Sequence, residues 1–307
     1  MDRERWRTVL VAVRRAARAV GWNGGRRRPV YGNALIVALY MWSVWHDRPL
    51  CWASQREHYS RLFRPRRLPS VSQFTRRIKS DDCQRILQLV HDAFAGGRQL
   101  TDVAYLDGKP LPVSPVSKDP DATRGKVSGG FARGYKLHAL VNRRRRIVAW
   151  SVMGLNVDEK TVARDALLPR LPPLAPDALV LADSNYDSAP LHAALATQAE
   201  VRLIHPLRGQ HRAGGIRRAA KLRQMPATRR ALVHAWEEHP ALTRLVMKAR
   251  NEIERVFGTL TCTAGGLAGL PAWVRTLARV RRWVGVKIIL YNVRLAVREQ
   301  LHKAAVG

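Results

Sequence analysis

The hydrophobic pattern of this 307-residue chain changes near residue 101, and this change limits the folds that it can adopt. Before that point apolar residues such as Val9, Val13 and Ala16 recur at helical spacing, and almost no segment alternates as a strand does. After it, short apolar runs with helical segments between them are typical of a sheet with interleaved helices. We therefore predict an all-helical N-terminal domain over residues 1–100 and an α/β (α+β) domain over residues 101–307.

The second part of the chain predicts a mixed sheet flanked by helices. Two of its apolar runs are joined by a turn at residues 142–146 and form a predicted hairpin, which argues against an all-parallel sheet. Residues 207–245 are basic and polar, and we predict an insert of uncertain structure there. The predicted strands are 103–106, 135–141, 147–152, 178–182 and 201–204, and the predicted helices are 161–168, 189–199, 247–260 and 275–301.

The N-terminal part carries a buried helix and a basic one. The segment 32–46 is apolar nearly all round, which predicts burial, and a basic break at residues 24–29 precedes it. Ser70 is a good N-cap for a basic amphipathic helix that contains Arg76 and Arg77, which we take as candidate DNA-binding residues. This helix belongs either to a helix-turn-helix-like arrangement or to an ordinary bundle with a solvated arginine face.

The charge of the chain predicts a polyanionic partner. It has 54 Lys and Arg against 23 Asp and Glu, a net charge of +31 and a pI of about 11.5. A hydrophobic content of 46% argues against a disordered basic tail. The longest apolar stretch, 34–45, is shorter than the roughly 20 residues that span a bilayer, so we expect no membrane partner.

Further features favour a cytoplasmic protein that acts on nucleic acid. The chain shows no signal-peptide pattern at its start, and its three cysteines are far apart and suit a reducing compartment. Arg144 and Arg145 lie in a four-arginine turn at residues 143–146. Such a run is either solvated or in contact with the DNA backbone, and we keep both as candidate DNA-binding residues.

Three carboxylates are the candidate catalytic residues. Asp107 and Asp183 each follow a short apolar run, so we expect both at the carboxyl ends of strands, where functional groups gather in open α/β sheets. Glu254 follows Arg250 by four residues, so the two share one face of a helix. Carboxylate oxygens suit Mg²⁺ or Mn²⁺, although any single acid more often caps a turn or pairs with a base.

Four motifs in order carry a resemblance to a known family. They are Tyr105-Leu-Asp-Gly, Gly134-Tyr-Lys-Leu-His, Leu181-Ala-Asp-Ser-Asn-Tyr-Asp and Arg250-Asn-Glu-Ile-Glu-Arg-Val-Phe-Gly. Over nearly the whole chain this order resembles the DDE transposases of bacterial insertion sequences. These enzymes have a ribonuclease-H-like catalytic domain behind a helical N-terminal region.

The resemblance implies a mechanism and its participants. Asp107, Asp183 and Glu254 would hold two Mg²⁺ (or Mn²⁺) ions per active site. Metal-activated water would cut at the ends of the element and free a 3′-hydroxyl, which would attack target DNA. The partners would be double-stranded DNA, at terminal inverted repeats and at the target, and further copies of the chain in a homodimer or larger oligomer. The expected location is the cytoplasm, in association with the nucleoid.

The family's last motif often places Tyr before Arg250 and Lys after Glu254, but here Met247 and Thr261 stand at those positions. Arg250, Lys136 and Lys109 remain candidate contacts to DNA. Lys136 and His138 alternate on one strand and share a face, which either points towards DNA and the acids or faces solvent.

Two other functions remain open from the sequence. One is a catalytically impaired copy that only binds DNA, and the other is a ribonuclease-H-like nuclease without strand transfer. For Asp158 and Asp187 helix capping is the favoured role, with a place at the active site as the alternative.

Overall fold

The computed structural model describes residues 3–21, 30–96, 101–171, 174–199, 201–207, 222–262, 266–267 and 269–306. Two compact units divide the chain, one formed by residues 1–97 with 260–307 and the other by residues 98–259. The basic break predicted at 24–29 lies outside the described residues.

The first unit is helical in its described parts. Its N-terminal helices are α1 (Arg3–Val20), α2 (Asn33–Trp45), α3 (Leu50–Ala53), α4 (Val71–Ile78) and α5 (Asp81–Phe94). The long C-terminal helix, numbered α11 below, spans Leu277–Val306 and packs against α1, α2 and α5. The sequence had assigned this helix to the second domain, whereas its packing places it in the helical unit.

Aromatic packing holds the helical unit together. Trp6 of α1 meets Trp42 of α2 edge to face, with ring centroids 4.9 Å apart, and also contacts Phe63 at 5.2 Å. Helix α2 is buried along nearly its whole length, as its continuous apolar sequence predicts. Ser70 caps α4 in a capping box with Gln73, which confirms the predicted start of that helix.

The second unit is built on one mixed sheet. Its strands are β1 (Thr101–Pro112), β2 (Thr123–Val127), β3 (Gly130–Asn142), β4 (Ile147–Gly154), β5 (Leu174–Leu181) and β6 (Arg202–Ile204). The sheet runs β2-β3-β1-β5-β6, and β4 pairs with β3. Strand β1 is antiparallel to β3 and parallel to β5, and β5 is parallel to β6. This confirms the predicted fold class, a mixed sheet flanked by helices with a helical region before it.

Strand β1 is longer than its sequence indicated. The apolar run ends at Leu106, but β1 remains paired with β3 as far as Pro112 opposite Gly134. Asp107 therefore lies within β1 and not at its end, which corrects the expectation from the sequence. The reason is that the polar half of the strand is supported by β3 alone, because the pairing with β5 ends at Tyr105.

The helices of the second unit lie between and after these strands. They are α6 (Glu159–Val162), α7 (Ala189–Ala199), α8 (Ala227–Glu238), α9 (Pro240–Lys248) and α10 (Asn251–Cys262), whose last residues belong to the helical unit. After α6 the chain continues through one π-helical and one 3₁₀ turn to Arg170. Helices α8 and α9 occupy most of the described part of the predicted insert, of which residues 208–221 lie outside the described residues.

Two observations complete this description. The predicted hairpin is confirmed as β3 and β4, whereas β2 was not predicted because its Thr-Arg-Gly-Lys-Val sequence lacks an apolar run. Among the described helices none is both long and apolar enough to cross a membrane.

Three buried histidines should make the stability of the fold depend on pH. Burial lowers the pKa of His138 to about 3 and that of His192 to about 3, and it also lowers the pKa of His205. His205 Nδ1 donates to the Pro206 carbonyl (2.9 Å), so its Nε2 accepts from His192 Nε2 at 2.8 Å. Protonation of His205 at Nε2 would remove the acceptor of this contact, and protonation of His192 would place a charge on its buried Nδ1, which has no partner among the described residues. The folded state therefore binds fewer protons than the unfolded state.

We predict that the free energy of unfolding falls as the pH drops below about 6.5, where the unfolded histidines become protonated. Each such histidine contributes a slope of up to about 1.4 kcal/mol per pH unit. His138→Leu should reduce the slope between pH 6 and 5 by about this amount in urea unfolding, while His302→Gln, at an exposed site on α11, should not. Equal slopes in both variants would contradict the prediction.

Candidate active site

The pairing of β1 with β5 brings two acids to the same level of the sheet. Tyr105 is level with Leu181, and Asp107 and Asp183 each follow two residues later. Because side chains alternate along a strand, this register directs the two carboxylates to the same side at the point where the parallel pairing ends. An electrostatic interaction between Asp107 and Asp183 agrees with this proximity.

Asp183 is held by its own turn. It caps the short 3₁₀ helix Ser184–Tyr186, in which the Asn185 backbone N–H donates to Asp183 Oδ1 at 2.8 Å. The Asn185 side-chain amide donates to Asp183 Oδ2 at 2.9 Å. Both carboxylate oxygens therefore have a local donor, which fixes the orientation of the group.

Arg250 links the other two predicted catalytic acids. Its Nη2 lies 2.9 Å from Asp107 Oδ2, and its Nη1 lies 3.1 Å from Glu254 Oε1. The contact with Glu254 has the i, i+4 spacing expected from the sequence, and α10 begins directly after Arg250. The Arg250 side chain is only 18% exposed, whereas that of Glu254 is 58% exposed. Arg250 thus contacts an acid 143 positions earlier in the chain and links it to Glu254.

The surroundings of Asp107 raise its affinity for a proton. Burial raises the pKa of its carboxyl to about 6, against the opposing effects of Arg250 and the Gly108 N–H. Negative charge on Asp183 and Glu159 raises the pKa further. A buried carboxylate beside two other acids is expensive to ionise, so this position favours a bound proton or a neighbouring cation.

Glu159 is a buried acid that the sequence did not identify as part of the site. Its Oε1 lies 2.6 Å from Lys136 Nζ, and the two side chains are 13% and 14% exposed. Gly108 makes room for this pair, because a Cβ there would lie 3.0 Å from Lys136 Cδ and 3.2 Å from Glu159 Oε1. Glu159 opens helix α6, where an acid is common, so no sequence signal distinguished it.

Two polar atoms beside these acids are buried without a partner among the described residues. They are Glu159 Oε2 and the Tyr186 hydroxyl, and the Tyr186 side chain is fully buried. Burial, followed by the negative charges of Glu159, Asp107 and Asp183, raises the pKa of Tyr186 well above its ordinary value. The phenol therefore remains protonated and can donate a hydrogen bond towards the acids.

His138 does not face solvent. It is 0% exposed, and both of its ring nitrogens lack a hydrogen-bond partner among the described residues. Of the two orientations left open for the face shared by Lys136 and His138, the solvent-facing one is wrong. The reason is that this face of β3 is covered near the start of α6, where Glu159 pairs with Lys136 and Asp158 interacts with His138.

The other candidate DNA-binding residues have varied surroundings. Arg76 and Arg144 are exposed, whereas Arg77 donates to Asn33 and is half-buried. Arg145 pairs with Glu252 at 2.6 Å. Lys109 is half-buried and follows Gly108 on β1.

Asp158 and Asp187 have structural partners. Asp158 caps α6, accepting from the Thr161 N–H at 3.3 Å, which confirms its predicted capping role. Asp187 is almost fully buried and pairs with Arg229 Nη2 of α8 at 2.6 Å. The Arg229 contact spans 42 residues and could not have been found from sequence spacing. Met247 lies on α9 and Thr261 on α10.

The donor set of the site fits a hard divalent cation. Its candidate ligands are carboxylate oxygens of Asp107, Asp183 and Glu254, with the unpartnered Glu159 Oε2 beside them. In the described part of the chain, no three His, Cys, Asp or Glu side chains are already close enough to hold a metal. Here Arg250 supplies the positive charge between two of the three acids.

Comparison with known proteins agrees with the resemblance seen in the sequence. The family model described as the transposase DDE domain matches residues 98–293. Among solved structures, the chain is similar to that of the piggyBac transposase synaptic complex with hairpin DNA. The identity is 10%, the TM-score 0.49, and the match covers 97% of this chain and 74% of the other. None of the curated proteins compared matches the sequence.

The Lys136–Glu159 pair permits a test of the site's electrostatics. We predict that Lys136→Met alone lowers the free energy of unfolding by about 3 kcal/mol, because it leaves Glu159 buried and unpaired. The double variant Lys136→Met/Glu159→Gln should recover most of this loss in urea unfolding. As a control, the exposed pair Arg202–Asp177 should change stability by about 1 kcal/mol or less when Arg202 becomes Met. Additive losses at 136 and 159 would contradict the prediction.

Proposed function

Since this chain belongs to the transposase DDE domain family, we propose that it cuts DNA at the ends of a transposable element and joins the freed 3′-hydroxyl to target DNA. The observation that carries this proposal is the meeting of Asp107 with Asp183 across β1 and β5, and with Glu254 through Arg250. The element would be a bacterial insertion sequence. The protein would then work in the cytoplasm on nucleoid DNA.

Divalent metal is part of the proposal. Asp107, Asp183 and Glu254 would hold the metal, as two Mg²⁺ or Mn²⁺ ions per active site. Bound there, the ions would activate the attacking oxygen and stabilise the leaving oxygen of the phosphodiester. The buried position of Asp107 supports this assignment, because burial disfavours its ionised carboxylate and a bound cation would favour it.

The protein's own groups would organise the site around these acids. The backbone and amide of Asn185 hold Asp183 in one orientation, and Arg250 holds Asp107 and Glu254 together. Arg250 and Lys136 would also neutralise charge when a DNA phosphate approaches the acids. Tyr186 has a buried hydroxyl with no partner among the described residues, and it would donate a hydrogen bond to an oxygen brought into the cluster.

DNA would be held by basic residues of both units. Arg144 and Arg76 are exposed and suit contacts to phosphate, as does Lys109 beside Asp107. Arg77 and Arg145 would act in part through their protein partners Asn33 and Glu252. Paired ends of one element would be brought together by a homodimer or larger oligomer of the chain.

A cleavage and joining assay tests this function. We predict that the full chain with Mg²⁺ cuts labelled element ends and joins them to a target plasmid. Asp183→Asn should lower both rates by at least about a thousandfold, because a metal ligand supports several kcal/mol of transition-state stabilisation. Asp165→Asn is the matched control, since the ion pair of this exposed acid within the described part of the chain is with its neighbour Arg164.

The outcomes separate the rival functions. Cleavage without joined product would support a nuclease and overturn strand transfer. Binding of ends without any cleavage would support an impaired copy, in keeping with Met247 and Thr261 at two motif positions. Equal rates for Asp183→Asn and Asp165→Asn would remove the catalytic assignment.

The net charge of +31 predicts DNA binding that depends strongly on salt. If six to ten phosphates are contacted, affinity for an element end should fall on the order of a thousandfold or more between 50 and 200 mM salt, because contacts release counterions. Anisotropy titrations at several salt concentrations measure the slope. Arg144→Gln should make the slope shallower by roughly one counterion. A flat salt dependence would contradict phosphate-driven binding.

A further inference from the structure

The helical unit contains a cavity that the chemistry of the acidic site does not use. Its volume is about 220 Å³, and its walls come from α2, the start of α3, one face of α4 and the N-terminal part of α11 with the segment before it. This volume is below the roughly 300 Å³ of the smallest sites for drug-sized ligands. The cavity has room for one ring system, and partly exposed residues such as Trp273 and Val71 open it to the surface.

Three large aromatic side chains line this cavity. Tyr40 and Trp283 are almost fully buried, whereas Trp273 is 39% exposed. The wall at Trp273 is held in place by Arg279, whose Nη1 donates to the Trp273 carbonyl at 2.9 Å. Aromatic walls of this kind bind flat π systems by stacking.

The lining is also strongly cationic. Arg48, Lys79, Arg279 and Arg282 contribute to it, and none of the acidic residues that the structure describes does. Arg48 and Arg282 make no ion pair with a described residue, although Arg282 is only partly exposed. Burial lowers the pKa of Arg282, and the charge of Arg279 adds to this effect. An anion in the cavity would relieve this uncompensated positive charge.

Two buried donors in the lining lack acceptors. The Tyr40 hydroxyl and Trp283 Nε1 have no hydrogen-bond partner among the described residues, and their residues are only 4% and 3% exposed. Native proteins seldom leave buried donors unpaired, because each costs free energy. A ligand with acceptor atoms on a flat ring would satisfy them.

From these observations we propose that a single nucleotide binds here, with its base in the cavity beside the aromatic side chains and its phosphate on the arginines of the lining, of which Arg48 and Arg279 are exposed. A base combines a π face with ring acceptors, and its phosphate carries the negative charge. The nucleotide is either free or unstacked from a DNA strand, and both sources present the same groups. None of the three acids lines the cavity, so the proposal does not depend on the cleavage reaction.

Binding of two probes to the full chain tests this proposal without metal. The first probe is deoxyadenosine monophosphate, measured by calorimetry, and the second is a DNA duplex with one unpaired 2-aminopurine, measured by fluorescence. We expect at least one probe to bind, and Trp273→Ala and Arg282→Gln each to weaken it about tenfold. Arg298→Gln, exposed on the same helix α11, should bind as the wild type does.

Tyr40→Phe provides a readout that is independent of folding defects. The change removes the unpartnered hydroxyl, so the free variant should melt at the same or a higher temperature than the wild type. Its stabilisation by nucleotide should nevertheless be smaller, since an acceptor of the ligand loses its donor. If the free variant melts no lower than the wild type but gains less stability from added nucleotide, misfolding does not account for the weaker binding.

The two probes identify the source of the nucleotide. Tighter binding of the monophosphate supports a free nucleotide, and tighter binding of the unpaired base supports an unstacked nucleotide of DNA. The proposal is overturned if neither probe binds, or if Trp273→Ala and Arg282→Gln bind both probes as well as Arg298→Gln does. Asp183→Asn should bind like the wild type, so failure of the cleavage proposal is distinguishable from failure here.

Discussion

The parallel pairing of β1 with β5 is the constraint on which the acidic site depends. It sets Tyr105 level with Leu181, and so brings Asp107 and Asp183 to the same height two residues later. A shift of one residue in this register would turn one carboxylate to the opposite face of the sheet. Because β3 holds β1 along its remaining length, the strand stays extended where its own sequence is polar.

Basic side chains among the acids of the site lower the free-energy cost of burying the carboxylates. Arg250 joins Asp107 to Glu254, and Lys136 pairs with the buried Glu159. The compensation is incomplete, since burial still raises the pKa of Asp107 to about 6 and Glu159 Oε2 lacks a partner among the described residues. The negative charge that these side chains leave unbalanced would be stabilised by a hard cation or a bound proton.

The basic side chains of the chain have different surroundings in its two units. In the sheet unit, basic side chains pair with acids at the candidate active site. In the helical unit, Arg48 and Arg282 line a cavity without acids, beside the aromatic side chains of Tyr40 and Trp283. The basic residues thus have two roles. Some neutralise buried acids, and others give a cavity the positive charge that would attract an anion.

The sequence by itself determined the helical start, the mixed sheet with its hairpin, and the contact of Arg250 with Glu254, because these follow from local periodicity and short spacing. Only the tertiary structure decided which distant residues meet. The contacts of Arg250 with Asp107 and of Arg229 with Asp187 join separate elements. Burial of His138 and of Glu159 likewise results from neighbouring elements, since the polarity of a residue does not reveal what will cover it.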